Sequence, residues 1–320
     1  MRKKPIIKLI VSLTMLLLVL SFVDFDRLQT TIKAIPLSLI VSVTILYSLG
    51  QTLSAYKWWL ITSSSIEGPF LTALRAYWVG MYFNVFGFGT VGGDVARGII
   101  FAGRRKIKTE ALASVIADRA HGLATLALMG IAAVYLVDQD KIDFSYKLLL
   151  LTCSLVIIFG WFLGPSLLLK FTPLTSRWRN KIERTAAQFP RAPRRLIHIT
   201  IISCAFHGIQ IFTNGYLAHE LGVDVPWMRI YAAIPFVNIL GTLPISWQGL
   251  GVRETSLLFF LRGYINGAQA IALGAVWFIA VTITSAIGGI VAAISGDLDV
   301  VTAAKEKDIS VIANGSTTAK

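Results

Sequence analysis

Charge is scarce in this chain. Of its 320 residues only 15% are Asp, Glu, Lys or Arg, against about 25% in ordinary globular domains, and a water-facing surface cannot be assembled from so few. Acidic residues are the scarcer kind, 17 against 30 basic ones, for a net charge of +13. Only two cysteines occur, Cys153 and Cys204, both inside apolar runs, so a disulfide framework is not expected and each is read as a small hydrophobe. His198, His207 and His219 show no metal-ligand spacing, and no Ser/His/Asp or Cys/His grouping can be identified, so neither a metal nor a cofactor is expected. What is abundant is apolar: 55% of the residues, in runs long enough to cross a hydrocarbon core of roughly 30 Å, which needs about 20 residues of helix. Soluble enzyme, fibrous and disordered classes are set aside in favour of an all-α polytopic membrane protein. The excess of positive charge lies between the apolar runs, where it orients membrane helices, so no nucleic-acid partner is expected.

The start, Met1-Arg2-Lys3-Lys4 and an apolar run to Val23, resembles a signal peptide but has no A-x-A-like site before Asp24, so it reads as an uncleaved first span. Further spans are expected at Pro36–Ile61, Ala111–Val137, Lys147–Phe171, Leu196–Ala218 and Ala268–Ser295. Two more stretches, Phe70–Phe101 and Trp227–Leu261, are apolar but broken by glycine, proline and charge. Basic residues collect at Arg2/Lys3/Lys4, at Arg97/Arg104/Arg105/Lys106/Lys108, between Lys170 and Arg195, and at Lys305/Lys307. All of these clusters fall on the cytoplasmic side if each broken stretch enters the membrane and returns on one side. The expectation is six full spans plus two re-entrant hairpins, with eight full spans as the alternative. On that count residues 1–300 form a single integral membrane domain, with a polar cytoplasmic tail over 301–320 in which the sequon Asn314-Gly315-Ser316 stays unglycosylated. Both termini are placed in the cytoplasm and the protein in a cytoplasmic (inner) membrane.

The broken stretches match each other. Arg75-x-Tyr77-x6-Asn84-x2-Gly87 has the same residue types at the same spacing as Arg229-x-Tyr231-x6-Asn238-x2-Gly241, and each leads into Gly-x3-Arg, Gly93 to Arg97 and Gly249 to Arg253. The shared order of span, broken hairpin and span predicts repeat halves at about 36–137 and 196–295, running in opposite senses across the membrane. Inverted repeats with discontinuous helices are how transporters build a midplane site open in turn to either side.

The run Gly87-Phe88-Gly89-Thr90-Val91-Gly92-Gly93 contains G-x-G-x-x-G, but no strand precedes it, which excludes a dinucleotide site. Its glycines, Gly92 and Gly93 among them, either let a hairpin tip turn and pack tightly or expose backbone N–H groups to an anionic headgroup at a helix start. Gly249 and Gly251 have the equivalent place in the second tip. The run from Pro244 to Glu254 reads Pro-Ile-Ser-x2-Gly-Leu-Gly-Val-Arg-Glu. Together with Gly92-Gly93-Asp94-x2-Arg97 and Asp118-Arg119-x2-Gly122, it resembles the transmembrane flippase-like domain of lysylphosphatidylglycerol synthases, over about Pro36 to Ser295. Many members have glycine where this chain has Gln248, and no aminoacyl-transferase domain is expected after Ser295, so the resemblance implies lipid translocation and not lysyl transfer.

Asp118 and Arg119, with His121 close by, sit inside an apolar span, where ionisable groups are costly and are either functional or an interfacial capping pair. Arg253 and Glu254, as helix neighbours, diverge by about 100°, so one can meet a substrate phosphate while the other pairs elsewhere. Arg97 and Arg253 are the expected countercharges for a lipid headgroup, with Asp118, Arg119 and Glu254 in ion pairs that reorganise. Asn84 and Asn238 are expected to stitch the hairpins to neighbouring helices and to line the site, and Arg75 and Arg229 to snorkel to the interface. Between Ser176 and Phe189, Trp178, Ile182, Ala186 and Phe189 recur at helical spacing, predicting a helix lying on anionic lipid. The resemblance and the repeat together imply a translocase for an anionic phospholipid, glycolipid or polyprenyl-phosphate-linked headgroup, a transporter more than an enzyme. The alternatives are a membrane-embedded transferase or phosphatase acting on a lipid phosphate, and a non-transporting partner of a lipid or glycan synthase.

Overall fold

In a computed structural model of the chain, the described residues are 29, 33 and 35–297, apart from 64–65, 88, 104, 106, 137–143, 174, 177 and 244–245. The expected first span Ile6–Val23 and the tail 301–320 lie outside them, as do Pro244 and Ile245 of the second tip. Among the described residues five helices are long and apolar enough to cross a membrane. These are α1 (Leu37–Thr62), α4 (Lys108–Leu136), α5 (Phe144–Phe171), α7 (Pro193–Glu220) and α10 (Gly267–Ser295), each within a few residues of an expected span. Their ends follow from local chemistry. Pro193 occupies the first turn of α7, where its missing N–H costs nothing. Asn266 and Gln269 form a reciprocal capping box at the start of α10, each side chain accepting from the other's backbone N–H at 3.0 Å, and Gly296 ends that helix at φ 71°.

Neither broken stretch is one straight helix. The first forms α2 (Phe70–Tyr82), a π-helical turn (Phe83–Gly87) and α3 (Gly89–Ala102). The arms, 13 and 14 residues, are about 20 Å long at 1.5 Å per residue, short of the hydrocarbon thickness. They lie against each other. At the far end Arg105 Nη1 donates to Glu67 O at 2.6 Å, and near the tip Gly93 abuts the Gly80 carbonyl and the Asn84 carboxamide so closely that a Cβ has no room. The second stretch repeats the plan with α8 (Trp227–Thr242) and α9 (Val252–Phe260), closed by a Phe236–Phe260 stack at 5.7 Å. We predict that Gly93→Ala overpacks the first hairpin by about 1–3 kcal/mol, read as a lower melting temperature of the detergent-solubilised protein; an unchanged melt would mean the arms separate freely.

Residues 36–137 and 196–295, the two halves of the described bundle, pack through matching contacts. Helices α1 and α7 form the central pair and run antiparallel: Leu39 and Val43 share a cluster with Ile211 and Leu217, Gly50 faces Phe206 and Ile209, and Ile61 clusters with Ile199. Each hairpin packs on the last helix of the other half. Helix α2 meets α10, where Gly288 lies against the Trp78 carbonyl and Gly289 against the Tyr82 ring, and α8 meets α4, where Gly130 lies under the Phe236 ring. Close approach through glycine is how helices associate where lipid offers no hydrophobic drive. Helix α5 is peripheral and turns Val156, Phe159, Phe162 and Leu168 outward. The segment expected to lie on the membrane contains the short helix α6 (Arg179–Ala186), with Trp178 exposed at its start and Ala186 buried. Arg184 ties it to Glu110 of α4 at 3.5 Å.

Candidate functional site

Helix α1 turns Gln51, Ser54, Lys57 and Trp58 inward, all buried, because they recur every three to four residues on one face. Opposite them stand α3 and α4. The Asp118 carboxylate is gripped on both oxygens: Lys57 Nζ lies 3.0 Å from Oδ1 and Arg97 Nη1 3.1 Å from Oδ2. Lys57, Arg97 and Asp118 are 2%, 3% and 4% exposed. The Arg97 guanidinium lies 4.9 Å from the Trp58 ring centroid and 5.0 Å from that of Tyr77, in cation–π contact with both. Trp58 Nε1 donates to Ser114 Oγ at 3.1 Å, and the Tyr77 hydroxyl lies 2.8 Å from Ser54 Oγ and 3.2 Å from Gln51 Oε1. Arg119, turned away from Asp118, makes a bidentate pair with Asp94 at 2.9 and 3.0 Å, and Asp94 also lies 3.3 Å from Arg97 Nε. Three cations thus face two carboxylates, leaving one positive charge in excess.

A second polar group lies on α7 to α10. Arg253 Nη2 donates to Asn214 Oδ1 at 2.6 Å and Nη1 to Asn238 Oδ1 at 3.4 Å, while its guanidinium lies 4.1 Å from the Trp277 ring centroid. Its Nε is buried without a hydrogen-bond partner among the described residues. Arg97 and Arg253, equivalent in the repeat, therefore differ: carboxylates hold the first, and amide oxygens and a ring hold the second. Glu254 does not supply the missing counterion. Its Oε2 accepts from the Gly251 N–H at 2.6 Å, capping α9, and its other oxygen packs against Gly274, where a Cβ has no room. Gly251 and Gly249, at φ 79° and 78°, supply the left-handed backbone that only glycine adopts at little cost. A cleft of about 20 Å³, bordered by Gln248, Gly249, Arg253, Glu254 and Trp277, has room for about one water.

The two groups are joined across the centre. Gly122, lacking a side chain, lets Lys57 Nζ and His207 Nε2 converge; His207 donates to the Gly122 carbonyl at 3.1 Å. One turn along α7, Gln210 accepts from Asn238 Nδ2 at 3.2 Å through its side chain and from Asn214 Nδ2 at 2.7 Å through its carbonyl. Asn238 thus stitches α8 to α7. Asn84 differs: its carboxamide oxygen faces Gly93 without a hydrogen-bond partner among the described residues, and its backbone carbonyl accepts from Gln248 Nε2 at 2.5 Å, tip to tip. Gly92 lies at the start of α3 beside Gly93. Arg75 pairs with Asp297 at 3.2 Å and Arg229 lies 5.9 Å from the centroid of the Tyr264 ring; neither reaches the centre. Among the described residues no group of His, Cys, Asp and Glu could hold a metal ion.

Lys57, Trp58, Gln210, Asn214 and Trp277 are site residues that the sequence reading did not single out. Lys57 carried a signal, a lysine within the apolar run Pro36–Ile61, where an ionisable group is a functional candidate by default. Asn214 and Gln210 carried none, since they are two of several polar residues in α7 and only the fold brings Asn214 to Arg253 and Gln210 to Asn238.

Long apolar helices enclosing a buried, internally paired charge network define an integral membrane protein. Residues 6–289 match the family described as lysylphosphatidylglycerol synthase TM region, and the chain belongs to that family, as a membrane lipid-related protein. No curated protein matches the sequence.

Proposed function

We propose that the protein is a lipid translocase that binds the anionic head of a phospholipid, glycolipid or polyprenyl-phosphate-linked sugar between its two broken hairpins while the tails stay in the bilayer. The observation that carries this reading is Arg253: a buried guanidinium with no carboxylate in ion-pair range among the described residues, one N–H unpartnered, at a hairpin tip. A buried charge left without a counterion costs several kcal/mol, and a phosphate in bidentate contact with the fork would offset that cost. The surplus charge around Asp118 favours an anion in the same way. Arg97, Asp118 and Arg119 form the pairs that rearrange as access alternates. Asn84, Asn238 and the backbone at Gly92, Gly93, Gly249 and Gly251 line the path.

The arrangement in the membrane that goes with this reading is six spans and two re-entrant hairpins, the halves inverted, with both termini in the cytoplasm. The antiparallel α1–α7 pair and the folded-back hairpins support it. Single cysteines in the turn after α3 (103–107) and the turn after α9 (261–266) are then expected to react with an impermeant thiol reagent from opposite faces, the first from the cytoplasmic side. Labelling of both from one face would remove the inversion. Activity is tested by reconstituting the purified protein in vesicles with fluorescent phosphatidylglycerol. Movement between leaflets without chemical change is expected; a chemically altered lipid would instead mark a transferase or phosphatase, and no movement until a synthase is added would mark a partner protein.

A further inference from the structure

A groove of about 350 Å³ lies between α4, α5 and α7, where one water needs only roughly 10–15 Å³ on the same measure. Its walls are Leu128, Ile158, Phe162, Ile197 and Ile201. Four of these, all but Ile158, are also half or more exposed on the outside of the molecule, so the groove opens laterally, toward the bilayer. Water is poorly accommodated on such walls, and hydrocarbon is not. The floor differs. His121 lies there, 2% exposed, with Nε2 3.1 Å from Thr200 Oγ1 and the Trp161 ring edge-on at 5.1 Å. Its Nδ1 is buried with no hydrogen-bond partner among the described residues, which is costly for an imidazole nitrogen. His121 is also three residues beyond Asp118 on α4, a rise of about 4.5 Å, so the floor adjoins the charge network with its surplus cation.

An amphiphile matches all three features. We infer that this groove is the lateral seat of a hydrocarbon chain of an anionic lipid: the chain lies between α4, α5 and α7, the oxygen joining chain to head accepts from His121 Nδ1–H, and the head faces Lys57, Asp118 and Arg97. Thr200 then donates to His121 Nε2, which fixes the tautomer. The inference deepens the translocase reading and rests on it for the course of the head, though not for the seat of the chain.

The probe is phosphatidylglycerol with a photoreactive diazirine near the end of one acyl chain, added to the purified full chain in detergent, with labelled residues mapped by mass spectrometry. Saturable labelling is expected on Ile158, Phe162, Ile197 and Ile201, competed by unlabelled phosphatidylglycerol and not by phosphatidylcholine. Leu128→Trp fills the groove from an exposed position, so folding is not at stake; it should lower the saturable label by about tenfold or more, as expected when a seat is occluded. His121→Phe keeps the ring's packing and should weaken capture several-fold. Labelling that is unsaturable, spread over the outward face of α5 and unchanged in Leu128→Trp overturns the inference. The outcomes separate it from the function above: a protein that keeps the saturable label but moves no lipid loses the translocase reading alone, and one that moves lipid without that label loses the groove alone.

Discussion

Asp118→Asn is expected to destabilise the folded protein by about 3–5 kcal/mol, the range for breaking a buried ion pair from one side. Asparagine preserves the shape and removes the charge, so Lys57 and Arg97, at 3.0 and 3.1 Å, lose the carboxylate that both oxygens of Asp118 provide. Three buried or half-buried cations then face Asp94 alone. The check is a thermal melt followed by size-exclusion chromatography in detergent, and a variant melting with the parent would show that water reaches the cluster. A second change sharpens the test. Lys57→Met in the Asp118→Asn background restores the original excess of one cation, so the double variant should be more stable than the two single losses sum to, by at least about 1 kcal/mol of coupling. Strict additivity would mean that the 3.0 Å contact carries no energy.

Arg253→Lys should fold normally and move lipid about ten to a hundred times more slowly. Lysine keeps the charge but cannot span Asn214 and Asn238 while lying flat on Trp277, because an ammonium is a point charge and a guanidinium a planar fork. One charge-assisted hydrogen bond lost between the fork and the lipid phosphate costs about 1.5–3 kcal/mol, and every 1.4 kcal/mol is a factor of ten, which sets that range. Arg253→Ala should abolish movement. Vesicle assays on variants first shown to elute and melt as folded protein separate this from misfolding. An Arg253→Ala protein that moves lipid at the parental rate removes this residue from the site, and with it the observation on which the proposed function stands.

Much of the fold could be read from the chain because membrane spans are written locally. Five long helices follow from runs of apolar residues, and their bounds come from Pro193, Asn266 and Gly296 within a few positions. The broken stretches were legible for the same reason: glycine and proline interrupt hydrophobic runs only where protein can satisfy the freed backbone. The partners of the charged residues were not. That Asp118 would meet Lys57, 61 positions earlier, depends on how α1 crosses α4, and nothing near either residue encodes it. Glu254 shows the converse. It was expected to take part in ion pairs, yet it lies three residues after Gly251 and caps its own helix, a short-range pattern partly hidden because glycine offers no side chain to complete the usual box. The matching Arg97 and Arg253 promised equal roles; the contacts they make, carboxylates for one and amides with a ring for the other, are a property of the assembled halves.

Gln248 is the one non-glycine among the described residues with positive φ, 54°, a conformation that costs an ordinary side chain roughly 1–2 kcal/mol. Its amide reaches across to the carbonyl of Asn84. The tips of the two broken stretches are therefore joined to each other directly, by a contact that does not pass through the long apolar helices.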